Sequence, residues 1–450
     1  MNHSTTQFDA IIIGSGTSAY YVATGLLDAG KQIAIVDELP FGGTCALRGC
    51  QPKKYLVANA EAVAAAHHLV GKGLDAAPKT EWAALQALKN EFLDGKPEKE
   101  LESWQSKGVA TFRQRARLSG ADQVTLEDGS VLSAKHIVLA TGSSQRVLEI
   151  PGSEHAHNSD DFLELAELPR RITFVGGGYI SFEFAHVAAR AGAKVTLLHR
   201  SEKPLSGFEP DMVDVVLEAS RVAGIDILLD RAPARIEATD GAYRVYANDD
   251  TVVETDYVVA AIGRVPNLSV LEGDQGKVDH SGNGITVNEF LQSTSNPQVY
   301  AIGDCADRGK MLATVADDHG KIAARNILEG NTTAVDHRVV PSSVFTIPNL
   351  AAVGFTEAQA REQGLDFRIN QGSTIGWPSS KRIGEKQSGY KVLIDNRTGF
   401  ILGAHLARHN AAEVINTFAL AIAHEIPAES LAEFLWAYPT MTSDLKYMVK

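Results

Sequence analysis

Near its N-terminus the chain has a short hydrophobic run that ends in a glycine-rich turn. The stretch 8–38, FDAIIIGSGTSAYYVATGLLDAGKQIAIVDE, predicts a strand, a turn, a helix and a second strand. Its run 10–13 has the length and the β-branched composition of a buried parallel strand. Gly14 and Gly16 allow a tight turn that a pyrophosphate can approach closely. The pattern predicts a βαβ unit that binds a dinucleotide.

The same unit recurs in the middle of the chain. Residues 171–200, RITFVGGGYISFEFAHVAARAGAKVTLLHR, repeat the strand, glycine turn, helix and strand, with Gly176 and Gly178 at the small positions. The N-terminus of each helix would present its amide groups to phosphates. Two such units in one chain predict two dinucleotide sites.

The residue after the second strand differs between the two units. Asp37 stands in the first unit, where a carboxylate can bind ribose hydroxyls. The second unit has His199 and Arg200 there, with Lys203 close behind. Cations in place of the carboxylate favour a 2′-phosphate, and hence NADPH over NADH. The alternative is that these charges belong to a solvated loop.

Further elements follow from the same pattern. A helix is predicted over 53–70, and the stretch 109–150 is rich in strands and ends in HIVLATGS. Residues 251–270 end similarly in YVVAAIGRVPN, and QVYAIGDCAD (298–307) places Asp304 after an apolar strand. Beyond Val339, strands alternate with helices in the manner of a separate α+β domain.

A chain of 450 residues is too long for one hydrophobic core. We predict the fold class α/β, with two Rossmann-like dinucleotide-binding domains and an α+β C-terminal domain. The first binding domain is interrupted by the second and resumes after it. The predicted boundaries are 1–150, 151–270, 271–338 and 339–450.

Composition excludes several classes of function. The net charge is −13 and there is no block of Lys and Arg, which argues against nucleic acid as a partner. No apolar run is long enough to cross a bilayer, and the polar start MNHSTTQFDAIIIGSG has no basic region of a signal peptide. Three cysteines are too few for a secreted disulfide scaffold. We therefore expect a cytoplasmic protein with no membrane partner.

Two of the three cysteines, Cys45 and Cys50, lie together in GGTCALRGCQPKK (42–54). A zinc site needs four ligands, and no second cluster of Cys and His has suitable spacing. The pattern favours a redox pair and predicts no metal site. One helical turn would bring residues four or five positions apart onto one side.

These motifs together resemble the flavoprotein disulfide reductases, the family of glutathione reductase, dihydrolipoamide dehydrogenase and mercuric reductase. The resemblance runs through GGTC-x4-C-x-PKK, ATGS, GGGYISFE, AIGRVPN and YAIGDC, in order, and covers nearly the whole chain. It implies a homodimer with FAD in the first site and a nicotinamide cofactor in the second. It identifies the C-terminal α+β domain as a dimerisation domain.

The resemblance also implies which residues bind the cofactors. Those expected at FAD are Gly14, Gly16, Asp37, Gly43, Thr44, Lys53, Thr141, Gly142 and Asp304. Those expected at NADPH are Gly176, Gly178, Tyr179, Glu183, Arg200 and Gly263. Tyr179 would cover the flavin until nicotinamide displaces it, and the alternative for Tyr179 is core packing.

The same resemblance gives the cysteines their roles. Cys45 would be the interchange thiol that attacks substrate, and Cys50 the thiolate next to the flavin, the two forming a disulfide when oxidised. Lys53 and Glu183 would pair beside the flavin, where a fixed cation stabilises negative charge. The alternative for each is a surface charge. We expect Cys305 to be a buried apolar side chain, and the histidines His319, His405 and His409 to be structural.

The C-terminal segment WAYPTMTSDLKYMVK (436–450) departs from the family pattern His-Pro-Thr-x-x-Glu. Tyr438 takes the His position and Ser443 the Glu position, while Asp444 is one residue too late. A phenol donates a proton but seldom accepts one near neutral pH, so oxidation of dihydrolipoamide is disfavoured. Tyr438 could instead bind or protonate the thiolate that leaves a disulfide substrate.

Three named substrates of the family are disfavoured for related reasons. Mercuric reductases share the Tyr but keep the Glu and add a C-terminal Cys pair, which this sequence does not have. The same difference disfavours thioredoxin reductases with a redox tail. Glutathione reductase binds glutathione with arginines of its first helix. Thr24 and Gly25 take their positions in this sequence, so glutathione is disfavoured as well.

The sequence therefore predicts an NADPH-dependent FAD enzyme that passes electrons through Cys45 and Cys50 to a small disulfide substrate. Two alternatives stay open. The first is reduction of a non-disulfide electrophile, such as a quinone, a soft metal or a reactive sulfur species. The second is a flavin-binding interaction protein that has lost turnover.

Overall fold

The computed structural model describes residues 6–273 and 275–450. Its strands are β1 Thr6–Ile13, β2 Ile33–Val36, β3 Ala110–Phe112, β4 Ala116–Leu118, β5 Gln123–Leu126, β6 Val131–Leu139, β7 Ser143–Gln145, β8 Ala156–His157, β9 Arg171–Val175, β10 Lys194–Leu198, β11 Ile225–Leu228, β12 Pro233–Thr239, β13 Ala242–Ala247, β14 Val252–Thr255, β15 Tyr257–Ala260, β16 Arg264–Pro266, β17 His280–Ser281, β18 Gly284–Ile285, β19 Val299–Ala301, β20 Ser342–Val344, β21 Asn349–Gly354, β22 Phe367–Ser373, β23 Gly389–Asp395 and β24 Ile401–Arg408.

The α-helices are α1 Thr17–Asp28, α2 Gly43–Leu47, α3 Cys50–Leu69, α4 Trp82–Leu93, α5 Lys96–Ser106, α6 Ser159–Leu163, α7 Tyr179–Arg190, α8 Pro210–Val222, α9 Ala313–Glu329, α10 Glu357–Glu362, α11 Pro378–Lys381, α12 Ala411–Ala423, α13 Ala428–Glu433 and α14 Leu445–Met448. The chain divides into two compact units. The first unit contains residues up to 54, 88–146 and 264–337, and the second contains 55–87, 147–263 and 338–450.

The first unit is built on a sheet with strand order β3-β2-β1-β6-β5-β4, in which β19 also pairs with β6. Strands β3, β2, β1, β6 and β19 are parallel, whereas β5 and β4 are antiparallel additions. Ile11 and Ile12 are fully buried, as expected of a central parallel strand with both faces covered. Helices α1 and α9 pack closely, because Gly320 leaves room for the Ser18 carbonyl oxygen, 2.4 Å from where a Cβ would stand.

The second unit contains a parallel sheet with the order β11-β10-β9-β15-β8. The order of its first four strands, β11-β10-β9-β15, matches the order β3-β2-β1-β6 in the sheet of the first unit. The backbone hydrogen bonds also repeat: Gly14 N–H donates to the Val36 carbonyl at 2.7 Å, and Gly176 N–H donates to the Leu198 carbonyl at 2.9 Å. The repeat predicted from the glycine motifs is therefore confirmed as a repeat in structure.

Two antiparallel sheets complete the second unit, β12-β13-β14 and β20-β21-β24-β23-β22. The larger sheet packs against α12, and their shared core contains Ile415, Phe418 and Leu406. The C-terminal segment joins the same core through Leu445 and Met448. The prediction of a C-terminal α+β domain is confirmed.

The elements predicted from periodicity are present, and the helix predicted over 53–70 begins earlier, at Cys50. The sequence did not predict α4, α5 or the sheet β12-β13-β14. The predicted domain boundaries stay a prediction.

One expectation about the cysteines is wrong in its geometry. Cys45 lies in α2 and Cys50 begins α3, so a single helical turn does not join them. The chain turns sharply at Gly49, where a Cβ would lie 2.8 Å from the Thr44 carbonyl oxygen. A tight turn between two helices, and not helical periodicity, brings the cysteines together.

Candidate active site

The first glycine turn (Gly14–Ser15–Gly16) joins β1 to α1 and leaves no room for a side chain at Gly14. Gly14 has φ +111°, and a Cβ there would lie 2.2 Å from the Ala140 carbonyl oxygen. Gly43 has φ +71°, and a Cβ there would lie 2.3 Å from the Cα of Gly16. The turn therefore presents bare backbone, as a loop that binds pyrophosphate requires.

Helix α1 begins at this turn with an open N-terminus. Its N-cap, Gly16, supplies no capping side chain, and no acidic residue lies in its first turn. Oδ2 of Asp37 accepts hydrogen bonds from Ser15 N at 2.8 Å and from Ser15 Oγ at 2.6 Å, and Oδ1 accepts from Leu39 N at 2.9 Å. Free amides beside a fixed carboxylate suit the pyrophosphate and ribose of a dinucleotide. These residues fit FAD.

Asp304 is held by two residues that the sequence did not single out. It lies in the short turn Gly303–Cys305, and its Oδ2 accepts a hydrogen bond from Ser143 Oγ at 2.7 Å. Ser143 Oγ accepts in turn from Arg264 Nε at 2.9 Å. Burial raises the pKa of Asp304, while the Ser143 hydrogen bond and the Arg264 charge oppose the rise. Ser143 is the last residue of the motif ATGS and Arg264 the last residue of AIGR, so both motifs mark the support of Asp304 in the sequence.

The loop before Ser143 contains two further residues expected at FAD. Thr141 Oγ1 donates to the Asn267 carbonyl at 2.7 Å, and Asn267 N–H donates to the Gly142 carbonyl at 2.9 Å. Gly142 has φ +67°, a conformation that favours glycine. The two contacts fix this loop beside β16. Contacts of Thr141 and Gly142 with FAD stay a prediction.

His319 is fully buried in α9 and supports the turn that carries Asp304. Its Nδ1 accepts a hydrogen bond from the backbone N–H of Gly303 at 3.1 Å, so the neutral ring carries its proton on Nε2. Burial, followed by the charges of His337 and Arg308, lowers the pKa of His319 to about 3. The imidazole is therefore a permanent hydrogen-bond acceptor for Gly303 at neutral pH.

Cys45 and Cys50 are both thiols, and their side chains share a hydrogen bond. Cys45 is half-buried and Cys50 is exposed. The hydrogen bond with Cys50, followed by burial and the charge of Asp317, raises the pKa of Cys45, whereas Lys53 lowers it. The shift favours the protonated form of Cys45.

The second glycine turn (Gly176–Gly177–Gly178) repeats the geometry of the first. Gly176 has φ +124°, and a Cβ there would lie 2.2 Å from the Ala261 carbonyl oxygen. Helix α7 begins after Gly178 with no capping side chain and no acidic residue in its first turn. A Cβ at Gly178 or Gly263 would meet nothing within 4 Å, so the start of α7 has open space beside it.

His199 takes the place in the second unit that Asp37 takes in the first. Each donates its backbone N–H to the last residue of the next strand, Asp37 to Phe112 at 3.0 Å and His199 to Leu228 at 2.9 Å. The His199 ring lies so close to the second glycine turn that a Cβ at Gly177 would be 2.5 Å from it. An imidazole therefore stands where a ribose-binding carboxylate would stand.

The charge at this position comes from the residues after His199. Burial lowers the pKa of His199 below its usual value, so its ring is neutral at pH 7. His199 Nε2 lies 2.8 Å from Ser201 Oγ. Arg200 and Lys203 are exposed and carry the positive charge of the loop.

Glu183 and Tyr179 both lie on α7. Glu183 is buried, and its Oε1 accepts a hydrogen bond from Phe345 N at 2.8 Å. Tyr179 is 45% exposed, so the alternative that it packs in a core is wrong. Lys53 belongs to the first unit and Glu183 to the second, and their pairing stays a prediction.

The C-terminal segment exposes Tyr438 and buries the acid next to Ser443. Tyr438 is 69% exposed. Asp444 is buried, and its Oδ2 accepts hydrogen bonds from Arg408 Nη2 at 2.6 Å and from Ser379 Oγ at 2.6 Å. Asp444 therefore forms a buried ion pair with Arg408. It does not replace the family's Glu in orienting Tyr438.

The remaining cysteine and two histidines have local structural contacts. Cys305 is fully buried, and its Sγ donates to the Leu139 carbonyl at 3.2 Å. His405 Nε2 lies 2.9 Å from the Phe355 carbonyl, and His409 donates its backbone N–H to Glu385 at 2.6 Å. These contacts agree with the expectation of structural roles.

Neither a metal site nor a membrane span is present among the residues that the structure describes. No group of three or more His, Cys, Asp or Glu side chains within 6–273 and 275–450 could hold a metal ion. Within the same residues, no helix combines the length and the hydropathy that a membrane span needs.

Two family models match the chain. Residues 8–320 match the model described as pyridine nucleotide-disulphide oxidoreductase. Residues 340–449 match the dimerisation domain of that family. Together the two matches extend over most of the chain.

Curated relatives with different substrates are about equally similar to the chain. A glutathione reductase from Burkholderia cepacia is 31% identical, covering 97% of each chain. A mercuric reductase from Lysinibacillus sphaericus is 31% identical, covering 98% of this chain and 82% of the relative. A dihydrolipoyl dehydrogenase from Chlamydia pneumoniae is 30% identical, covering 97% and 95%. The overall sequence identity therefore does not indicate which of these substrates the protein uses.

A solved structure with the same fold is that of the HOCl-induced flavoprotein disulfide reductase RclA from Escherichia coli. It matches with a TM-score of 0.88 and 26% identity, covering 98% of this chain and 99% of that chain. The match confirms the predicted arrangement of two Rossmann-like domains and a dimerisation domain.

We predict that the acceptor on His319 is needed to retain FAD. His319→Leu removes the acceptor for Gly303 N–H and leaves that buried donor unpaired, which costs about 1–3 kcal/mol. If Asp304 binds FAD, part of this cost should weaken FAD affinity by about tenfold, measured by fluorescence titration of the apoprotein. His319→Asn, which can again offer an acceptor oxygen, should recover part of the affinity. Equal FAD affinity in wild type and His319→Leu would contradict the prediction.

Proposed function

Because the chain belongs to the pyridine nucleotide-disulphide oxidoreductase family, we propose that it is an NADPH-dependent reductase of a small disulfide. FAD and a pyridine nucleotide are the cofactors of this family, and the dimerisation domain indicates a homodimer. The observation that carries the proposal is the hydrogen-bonded pair Cys45 and Cys50 at the edge of the first glycine turn's unit. Bound FAD would relay two electrons from NADPH to this pair.

The cysteine pair can begin disulfide reduction without a histidine base. In the proposed mechanism the reduced pair keeps its proton on Cys45, whose pKa is raised by the hydrogen bond with Cys50, and holds its negative charge on Cys50. Cys45 can therefore pass its proton to Cys50 as its own sulfur attacks the substrate disulfide. This step forms a mixed disulfide between Cys45 and half of the substrate, and the other half leaves as a thiolate.

Tyr438 is the proposed proton donor to that leaving thiolate. Its phenol is exposed, suits donation and regains its proton from solvent. Cys50 then attacks Cys45, gives its proton to the second leaving thiolate and restores the Cys45–Cys50 disulfide. Each cycle uses one NADPH and one solvent proton and releases two thiols. The reverse reaction lacks a base, so dithiol oxidation should be slow.

The preference for NADPH rests on the second glycine turn. A neutral imidazole, His199, stands where a carboxylate would bind the 2′-hydroxyl of NADH. Arg200 and Lys203 follow it on the surface and can bind a 2′-phosphate. A carboxylate there would repel the same phosphate.

We predict that Arg200→Gln raises KM for NADPH by about tenfold while KM for NADH changes less than twofold. The reason is that only NADPH carries a 2′-phosphate, which the guanidinium can bind. Stopped-flow reduction of bound flavin by each nucleotide measures both values. Lys194→Gln removes an exposed cation from the opposite end of β10 and serves as a control. Equal losses with both nucleotides in Arg200→Gln would contradict NADPH selection.

We predict that Tyr438→Phe lowers disulfide turnover by about 100-fold, the low end of the usual contribution of a general acid. Flavin reduction by NADPH should keep its wild-type rate, because the phenol acts after it. The loss should be smaller for disulfides whose thiols have a low pKa, since these leave without help. Unchanged turnover of all disulfides would exclude a role for the phenol.

Cys45→Ser separates the proposal from its main alternative. A disulfide reductase loses its nucleophile in this variant and should lose turnover. A quinone reductase that draws electrons directly from flavin should keep its activity.

A further inference from the structure

Two cations lie near Tyr438. Arg382 Nη1 donates to the carbonyl of Pro439 at 3.3 Å, which places a guanidinium one residue from the phenol. Lys446 Nζ lies 5.6 Å from the centre of the Tyr438 ring. Both cations therefore stand beside an exposed side chain, in a protein whose net charge is −13.

The acidic residues in the two segments that contain Arg382 and Lys446 are buried. Segments 377–386 and 436–450 contain two carboxylates, Glu385 and Asp444. Asp444 is buried in its pair with Arg408. Glu385 is also buried, and accepts hydrogen bonds from Ser380 Oγ at 2.8 Å and from His409 N at 2.6 Å. Neither carboxylate is free to neutralise Arg382 or Lys446.

We propose that Arg382 and Lys446 select an anionic disulfide, one that carries carboxylate or phosphate groups near its sulfur atoms. The inference rests on the proposed function, in which Tyr438 protonates the first leaving thiolate. A substrate whose sulfur reaches Tyr438 brings its flanking groups to these two cations. Anionic groups there gain charge–charge attraction, whereas cationic groups are repelled.

Three disulfides with the same two-carbon spacing to sulfur test the charge preference. They are 3,3′-dithiodipropionate, which is anionic, bis(2-hydroxyethyl) disulfide, which is neutral, and cystamine, which is cationic. For the wild-type holoenzyme with NADPH we expect kcat/KM to fall in that order. The anionic and cationic probes should differ by about tenfold or more, since each exposed charge pair contributes roughly threefold to fivefold. The difference should shrink as salt is added.

Variants assign the preference to the two residues. Arg382→Gln and Lys446→Gln should each lower kcat/KM for the anionic probe about threefold to fivefold. Both variants should raise kcat/KM for cystamine. They should leave kcat/KM for the neutral probe within twofold of the wild-type value, so the neutral probe reports any structural damage. Arg397→Gln removes an exposed cation from the β23–β24 turn of the same domain and should change none of the three values.

The outcomes distinguish this inference from the function on which it rests. If NADPH reduces the flavin but none of the three disulfides is consumed, the proposed function is overturned. If all three are consumed with kcat/KM values within twofold, and neither variant alters the order, disulfide reduction stands and charge selection is overturned. Losses of equal size with all three probes in both variants would also overturn it, because they would indicate a general structural role.

Discussion

Both nucleotide-binding halves depend on one steric constraint, the missing side chain at the first glycine of each turn. At Gly14 and Gly176 a Cβ would stand 2.2 Å from a carbonyl oxygen, that of Ala140 or Ala261. No side chain fits, so only glycine lets the first strand of each unit turn into its helix beside the neighbouring strand. The turn then leaves an uncapped helix start next to the end of the second strand. Each cofactor site results from that arrangement.

The two turns differ in the side chain that stands after the second strand. In the first unit, Ser15 donates twice to Asp37 and holds a carboxylate beside the turn. In the second, the His199 ring fills that place and requires glycine at position 177. One backbone geometry therefore presents a carboxylate in one unit and an imidazole in the other at the position after the second strand.

Local patterns in the sequence predicted both parallel units, the C-terminal α+β domain and the residues of both turns. Those features depend on glycine spacing and on apolar strands, which are visible within thirty residues. The support for Asp304 was not predictable, since Ser143, Arg264 and His319 are distant in sequence and meet only through folding. The ion pair of Asp444 was equally unpredictable, because its partner Arg408 lies on strand β24, 36 residues earlier in the chain. The separate helices of Cys45 and Cys50 depend on the turn at Gly49, which periodicity does not reveal.

The C-terminal segment shows how the same fold can favour one direction of thiol chemistry. With Asp444 committed to Arg408 and a phenol at position 438, the segment offers a proton donor and no base. In the proposed mechanism, Cys45 passes its proton to Cys50 along the hydrogen bond between them as it attacks the substrate. Proton donation by Tyr438 and this internal proton transfer are the two steps on which the proposed reduction of disulfides depends.

The central claim, that electrons pass from NADPH through FAD to Cys45 and Cys50, is tested most directly by anaerobic titration of the purified protein with NADPH. The visible spectrum should develop a long-wavelength band from thiolate-to-flavin charge transfer, because Cys50 carries the negative charge of the reduced pair. The band should reach its maximum after about one equivalent of NADPH per subunit, while most of the flavin stays oxidised. Bleaching of the flavin by the first equivalent without that band would show that the cysteines are bypassed, and would contradict the account.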